Sequence, residues 1–440
     1  MSAASTEERR PVHDILGIGF GPSNLALAIA VEEHNRDAAE SDRLSCAFFD
    51  KQPRFGWHRG MLIEGTTMQV SFLKDLVTMR NPASGFSFLS YLKDKDRLAD
   101  FINHKTMFPT RVEYHDYLEW AAARVGHLAR FDSEVLHLTP VPEGFEVVVR
   151  HGDGRLTTAR ARNVVFALGL EASVPDGARL GDRVWHNLDL MHRVGELDGT
   201  RPRRLTVVGA GQSAAEATDY LHRTFPEAEV CSVFSRYGHT PADDSPFANR
   251  IFDPLAVDHF YGAPEEVKEQ LMSYHRNTNY SVVDLDLIEE LYARAYQEKV
   301  RGEQRLRMLN ASRVTDVAEG PDGVAVTVEF LPTGEREVLD SDVLVYATGC
   351  RPRDPFPLLG ETARHCERDE RGRIAVERDY RVRTRDELGG LYLQGGTEHT
   401  HGLTSSLLSN GAVRAGEIRD SVLRHRRAAR SAPDYALSRG

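Results

Sequence analysis

Apolar positions along the chain fall into two patterns: short continuous runs that predict buried strands, and longer 3.6-residue periods that predict helices. The first run, HDILGIGF at 13–20, passes through a glycine turn into the helical GPSNLALAIAVEEHNR, and LSCAFFD at 44–50 predicts the next strand. From Lys51 to about Asn103 the pattern dissolves among Gly, Pro and aromatic residues, which predicts a long functional loop region. A helical period returns in HDYLEWAAARVGHL (115–128). FEVVVR (145–150) and NVVFALG (163–169) predict strands, with a Gly-Asp-Gly turn at 152–154 between them.

The same order then recurs. RRLTVVGAGQSAAEATDYLHRTF (203–225) is again strand, glycine turn and helix, and AEVCSVFSR (228–236) predicts the following strand. Residues 237–282 are irregular, DLDLIEELYARAYQEKV is strongly helical, and GVAVTVEF and DVLVYATG predict the strands that complete this unit. GLYLQGG and the long helix after THGLTSSLLS can return to the first unit. The expectation is an α/β fold with two Rossmann-like dinucleotide-binding domains and a smaller, mainly helical substrate-binding region. Its boundaries are a tail at 1–12, a discontinuous first domain at 13–195 and 350–430, a second domain at 200–349 with an insert at about 237–300, and a tail at 431–440.

Composition narrows the function classes. The 440 residues are 41% hydrophobic, enough to bury two or three domain cores. A net charge of −11 disfavours nucleic acid, and the short basic RHRRAAR reads as the solvated end of a helix. No run reaches the roughly 18–20 apolar residues of a membrane helix, and the N-terminus lacks an apolar signal core, so a soluble, cytoplasmic protein without a membrane partner is expected. Cys46, Cys231, Cys350 and Cys366 show neither CxxC nor zinc-type spacing, which predicts no disulfide framework and no metal site.

Both glycine turns offer backbone N–H groups and a helix N-terminus to a pyrophosphate. In the first, Gly17, Gly19 and Gly21 precede Pro22, which stands where a third fingerprint glycine would and is tolerated in a first helical turn. In the second, Gly209 and Gly211 are followed by Gln212 and Ser213, with Ala214 in third place. Asp50, beside Lys51, ends the first unit's second strand and suits a ribose without phosphate, as in FAD. Ser235 and Arg236 at the equivalent place suit the 2′-phosphate of NADPH, although such an arginine can also be a surface charge. Each unit is closed by a small-residue turn, Ala167-Leu168-Gly169 and Ala347-Thr348-Gly349.

Here the chain resembles the microbial N-hydroxylating flavin monooxygenases that make hydroxamate siderophore precursors. The likeness is carried by DILGIGFGPSNLALA, GWHRGMLIEGTTMQVSFLKDLVTMRNPASGFSFLSYL, VVGAGQSAAEATDYL, DDSPFANRIFDP, NTNYSVVD, DVLVYATG and HGLTSSLLS. Pro22 is the usual residue in that family, whereas Tyr346 and Cys350 depart from it. The resemblance implies FAD on the first unit and NADPH on the second. Trp57, His58, Gln69, Thr404 and Ser405 would then lie along FAD. Lys74 and Asn249 would hold an amino-acid carboxylate with Ser406 nearby, and Asn279 would stand where substrate and nicotinamide ribose meet. Gln69 and Asn279 become the candidate catalytic residues. A charge-assisted bond from Lys74 would anchor one end of the substrate and leave its amine free. Lys74 and Asn249 can alternatively satisfy loop backbone groups, and the serines of THGLTSSLLS can cap a helix.

The implied reaction is N-hydroxylation by O2 through a C4a-hydroperoxyflavin, with no dedicated side-chain base and the amine bound neutral. Ser23 after Pro22 resembles the L-ornithine branch. L-lysine is next and a diamine third, since a diamine has no carboxylate for Lys74. Another two-dinucleotide flavin monooxygenase is the broader alternative. The resemblance also implies a homo-oligomer, a tetramer or dimer.

Overall fold

The structure is a computed structural model that describes residues 11–431 except 276, 277, 279, 386 and 387, and of Ser406 only the backbone. Strand Val12–Ile18 lies inside a seven-stranded sheet, parallel to Cys46–Phe49 on one side and to Leu156–Phe166 on the other. Its residues 14–18 are all buried, the unbroken pattern of a parallel strand covered on both faces. On its other edge Leu156–Phe166 serves two further partners in succession. Its last four residues also pair in parallel with Gly390–Leu393 of the C-terminal segment, and its earlier part pairs antiparallel with Gly144–His151. Helix Gly411–Ser431 then packs along helix Pro22–Asp37.

The second unit is a five-stranded parallel sheet in the order Leu306–Leu309, Glu229–Val233, Arg204–Val208, Val343–Tyr346, Val184–His186. Strand order reverses at Arg204–Val208, so the turn that follows it sits at the topological switch point where nucleotides bind in such sheets.

Three expectations need correction. Val184–His186, placed with the first domain, forms the edge of the second sheet, because Trp185 buries its ring with Leu190, Leu205 and Val207. The crossing between units is the antiparallel pair Leu170–Ala172 and Cys350–Pro352. GVAVTVEF belongs to an antiparallel meander of Ser312–Glu319, Val324–Phe330 and Glu335–Ser341 and not to the parallel sheet. The irregular stretches contain helices: Phe88–Asp94 and Leu98–His104 in the first, Pro254–Gly262 and Glu265–His275 in the second. Helices this short draw their stability from packing, which the periodicity of a seven-residue window does not record.

Val12 opens the first strand after an exposed Pro11, and Ser431 closes the last helix; residues 1–10 and 432–440 of the expected tails lie outside the described residues. Tyr346 is buried against Val184, Cys231 and Val326, so the core beneath the meander absorbs the larger ring. Among the described residues no helix is long and apolar enough to cross a membrane.

Candidate functional site

The first glycine turn is a cradle built by close contacts. Gly19 has φ +83°, and a Cβ there would lie 2.3 Å from the Ala167 carbonyl oxygen, whereas nothing stands within 4 Å of a Cβ on Gly21. Pro22 begins the helix, where it gives up no hydrogen bond. The Asp50 carboxylate accepts from the backbone N–H of Phe20 at 2.6 Å and of Gln52 at 2.8 Å, so it holds the turn's shape as well as facing it. Lys51 beside it is exposed. Asn24 braces the turn from below, donating to the Gly19 carbonyl at 2.7 Å and accepting from Gln394 at 2.8 Å.

The second turn repeats the device. Gly209, at φ +152°, would place a Cβ 2.3 Å from the Ala347 carbonyl oxygen, so the glycine two residues before each helix cap, Gly19 and Gly209, closes onto the alanine of the closing turn. This corrects the expected register of the first turn: Gly19 and Gly21 match Gly209 and Gly211, Asn24 and not Pro22 stands in third place, and Gly17 lies within the strand, where a Cβ would meet the Phe48 ring at 2.2 Å. Gly211 caps helix Gln212–Thr224, with Ser213 half-buried in its first turn. Arg236 donates to Thr240 Oγ1 at 3.1 Å and to the Ser281 carbonyl at 2.9 Å. Among the described residues no carboxylate lies within ion-pair distance of it, so its charge is held in place and open to a phosphate. Ser235 is exposed. His239, which the sequence reading missed, sets Nδ1 3.2 Å from the Ala210 carbonyl while its buried Nε2 has no partner. Burial lowers its pKa.

Between the units lies the loop carrying Lys74. Its anchor is the neighbouring Asp75, whose buried carboxylate accepts from the N–H groups of Val77, Thr78 and Phe88 at 2.6–2.9 Å and from the Thr78 hydroxyl at 2.9 Å. Lys74 therefore projects from a fixed backbone. Its ammonium lies 5.8 Å from the centre of the Phe252 ring, and burial lowers its pKa against the opposing charge of Asp253. Phe252 ends the turn Ala248–Phe252, which carries Asn249 and packs on the turn Leu403–Ser406. The structure thus brings the Lys74, Asn249 and Thr404–Ser405 segments together. Asn249 spends one N–H on the Asp244 carbonyl at 2.7 Å. Thr404 and Ser405 are buried, and Ser405 Oγ has no hydrogen-bond partner, an arrangement that costs about 1–3 kcal/mol unless a ligand supplies one. Asn279 and the Ser406 side chain lie outside the described residues.

Trp57 and His58 are half-buried neighbours with ring centres 5.6 Å apart, and burial and then the charge of Arg111 push the His58 pKa down to about 4. Gln69 is exposed and reaches across the junction, donating to Asp284 at 2.6 Å. Gln212 donates to the same carboxylate oxygen at 3.1 Å, so Asp284 ties the first unit's loop to the second unit's glycine-turn helix. Deeper in the junction Arg111 makes two bonds to Glu216, at 2.8 and 2.9 Å, and a third to the Met61 carbonyl at 3.0 Å. Helices Pro254–Gly262 and Glu265–His275 are clasped to the first unit's C-terminal segment by Asp258–Arg378, Glu265–Arg373 and Glu269–Arg371.

Two nucleotide cradles and a guarded cation between them match a group of known proteins. L-lysine 6-monooxygenase/L-ornithine 5-monooxygenase is the family that matches residues 11–352. The L-ornithine N(5)-monooxygenase of Burkholderia cepacia is 39% identical, over 94% of this chain and 95% of its own, and that of Pseudomonas aeruginosa is 36% identical, over 97% and 98%. The ornithine N-hydroxylase of Kutzneria sp. 744, in a complex with reduced FAD, NADP+ and L-ornithine, superposes with a TM-score of 0.91 at 46% identity, covering 94% of this chain and all of its own. By sequence over nearly its whole length, and by fold, the chain belongs to the L-lysine 6-monooxygenase/L-ornithine 5-monooxygenase family.

Proposed function

We propose that this protein N-hydroxylates the side-chain amine of L-ornithine, with FAD on the first unit, NADPH on the second and O2 as co-substrate. The observation that carries an amino-acid substrate is Lys74, a cation on a braced loop at the junction of the units, beside the turn of Asn249 and the buried turn of Thr404 and Ser405, and the ornithine N-hydroxylating relatives favour L-ornithine over L-lysine, which has the same carboxylate. A carboxylate docked on Lys74 fixes one end of an amino acid and points its amine away from the anchor. The cofactor assignment has its own support. The open cradle at Gly21 and the unpartnered Ser405 hydroxyl fit FAD, and the uncompensated Arg236 fits a 2′-phosphate.

When bound, FAD supplies the activated oxygen, and NADPH supplies the electrons. The chain binds, orients and excludes water. Its further task is to favour the neutral amine. At pH 8 this costs about 3 kcal/mol for a group with a pKa of about 10.4, and an apolar enclosure offsets the cost. On this reading Gln69 and Asn279 position reactants and exchange no proton. The product, N5-hydroxyornithine, would serve hydroxamate siderophore assembly, the enzyme would be cytoplasmic, and it would act as a homo-oligomer.

The test is to supply FAD, NADPH and either L-ornithine, L-lysine or putrescine, and to quantify the hydroxylated amine beside NADPH consumed. Product chiefly from ornithine supports the proposal. Product chiefly from lysine moves the assignment to the family's other substrate, and peroxide alone with all three amines rejects both.

A further inference from the structure

Helix Leu285–Arg301 turns one face inward, where Leu291 is buried in the second unit's core with Leu287, Ile288 and Ala295 packed around it. Arg294 also turns inward, to Asp219, and its second arm holds Glu290. On the other side Leu285, Tyr292, Tyr296 and Val300 are 55–75% exposed, an apolar stripe that runs nearly the whole length of the helix. Large apolar side chains exposed singly are ordinary, but four aligned on one helix face form a patch of the kind that marks an interaction surface.

The charges on that face say what covers it. Leu285, Glu289, Tyr292, Tyr296 and Lys299 follow one another at spacings of four, three, four and three, the seam of a two-helix coiled coil. Glu289 and Lys299 are exposed and, among the described residues, neither forms an ion pair within the chain, whereas Glu290 is spent on Arg294. Glu289 stands five residues before Arg294 and Lys299 five after it, with Tyr292 two before and Tyr296 two after. A two-fold axis beside Arg294 therefore makes the face its own complement. In an antiparallel pair Glu289 meets Lys299 of the second copy, Tyr292 meets Tyr296, and each contact occurs twice. A parallel pair would set Glu289 against Glu289 and Lys299 against Lys299, so the charges also select the orientation. We infer that the outer face of helix Leu285–Arg301 is a self-complementary docking surface for a second copy of this chain. The surface is independent of the catalytic reading and would carry the homo-oligomer expected of the chain.

A pair of helices about 25 Å long covers less than the ~800 Å² per subunit of a standard interface, so association in the micromolar range is expected. The test is sedimentation velocity of the full-length chain, supplied with FAD, across roughly 1–100 µM, native and with Glu289→Lys, Lys299→Glu or both. The native chain is expected to associate. Either single substitution sets like charges against each other twice and is expected to weaken association about tenfold or more, or to reduce a tetramer to dimers. The double variant restores both pairs with their signs exchanged and is expected to return to within about threefold of native. Both positions are exposed, so unfolding midpoints should not move, and the rescue separates a lost contact from a damaged fold. Association as strong in both single variants as in the native chain, or a double variant no better than the single ones, would overturn this docking surface alone. A native chain that stays monomeric throughout would overturn the homo-oligomer as well.

Discussion

Lys74 and Asp75 are adjacent in sequence and opposite in task. The family resemblance singles out Lys74, whereas nothing in the sequence marks Asp75, and only its reach to Thr78 and to Phe88, 13 residues away, shows that it braces the loop. Lys74→Ala is expected to raise the KM for ornithine about 10- to 100-fold, the loss of one charge-assisted bond of about 1.5–3 kcal/mol, while FAD affinity is unchanged. Steady-state kinetics with a parallel flavin titration check it, and an unchanged KM would remove Lys74 from the substrate site. A second residue-scale effect concerns pH. His401 is buried against Tyr380, ring centres 4.1 Å apart, and burial pushes its pKa down to about 4 despite the Arg378 carbonyl at 3.1 Å. His58 is displaced to the same degree. Both pKa values lie below the unfolded value near 6.5, so as pH falls the unfolded chain takes up these protons first. Stability from these groups is therefore complete above about pH 6.5 and declines toward pH 4. Thermal melts from pH 7.5 to 5 should show a falling midpoint, with a shallower slope in His401→Gln; an equal slope in that variant would contradict the assignment.

Among the elements, helices Arg111–Arg124 and Gln212–Thr224 were both expected, the first within a shifted window, yet nothing in either sequence announced that they meet. Glu216 looks like an ordinary solvent-facing acid in SAAEATDY, and it is 3% exposed because Arg111 reaches it across the junction. A buried pair contributes little net stability but fixes relative position, and removing one member costs about 3–5 kcal/mol. Glu216→Gln, which strands the Arg111 charge, is expected to lower the unfolding midpoint and to raise the fraction of NADPH electrons released as peroxide. Adding Arg111→Met should recover stability without restoring coupling. Calorimetry and peroxide assays of both variants check this, and full coupling in the single variant would show that the pair does not orient the units.

At the scale of the molecule, the two units interlock. Met61 and Ile63 of the first unit's loop are buried in the second unit's core, and a Cβ on Gly60 would lie only 1.6 Å from the Leu188 carbonyl oxygen. Gly60→Ala must part the backbones at that contact. FAD affinity should persist, because the first glycine turn is built from other contacts, while NADPH-dependent flavin reduction slows; stopped-flow reduction at native speed would argue against a tight junction. The strand and helix periods, the glycine turns at 17–21 and 209–211, and the contrast between Asp50 and Arg236 are properties of short windows, so they could be read before any contact was known. The transfer of Val184–His186 to the second sheet, the Arg111–Glu216 pair across 105 residues and the apposition of Arg414 to Ser23 across 391 could not. Those follow from how apolar surfaces close over one another, and an apolar run states that it will be buried without stating against what.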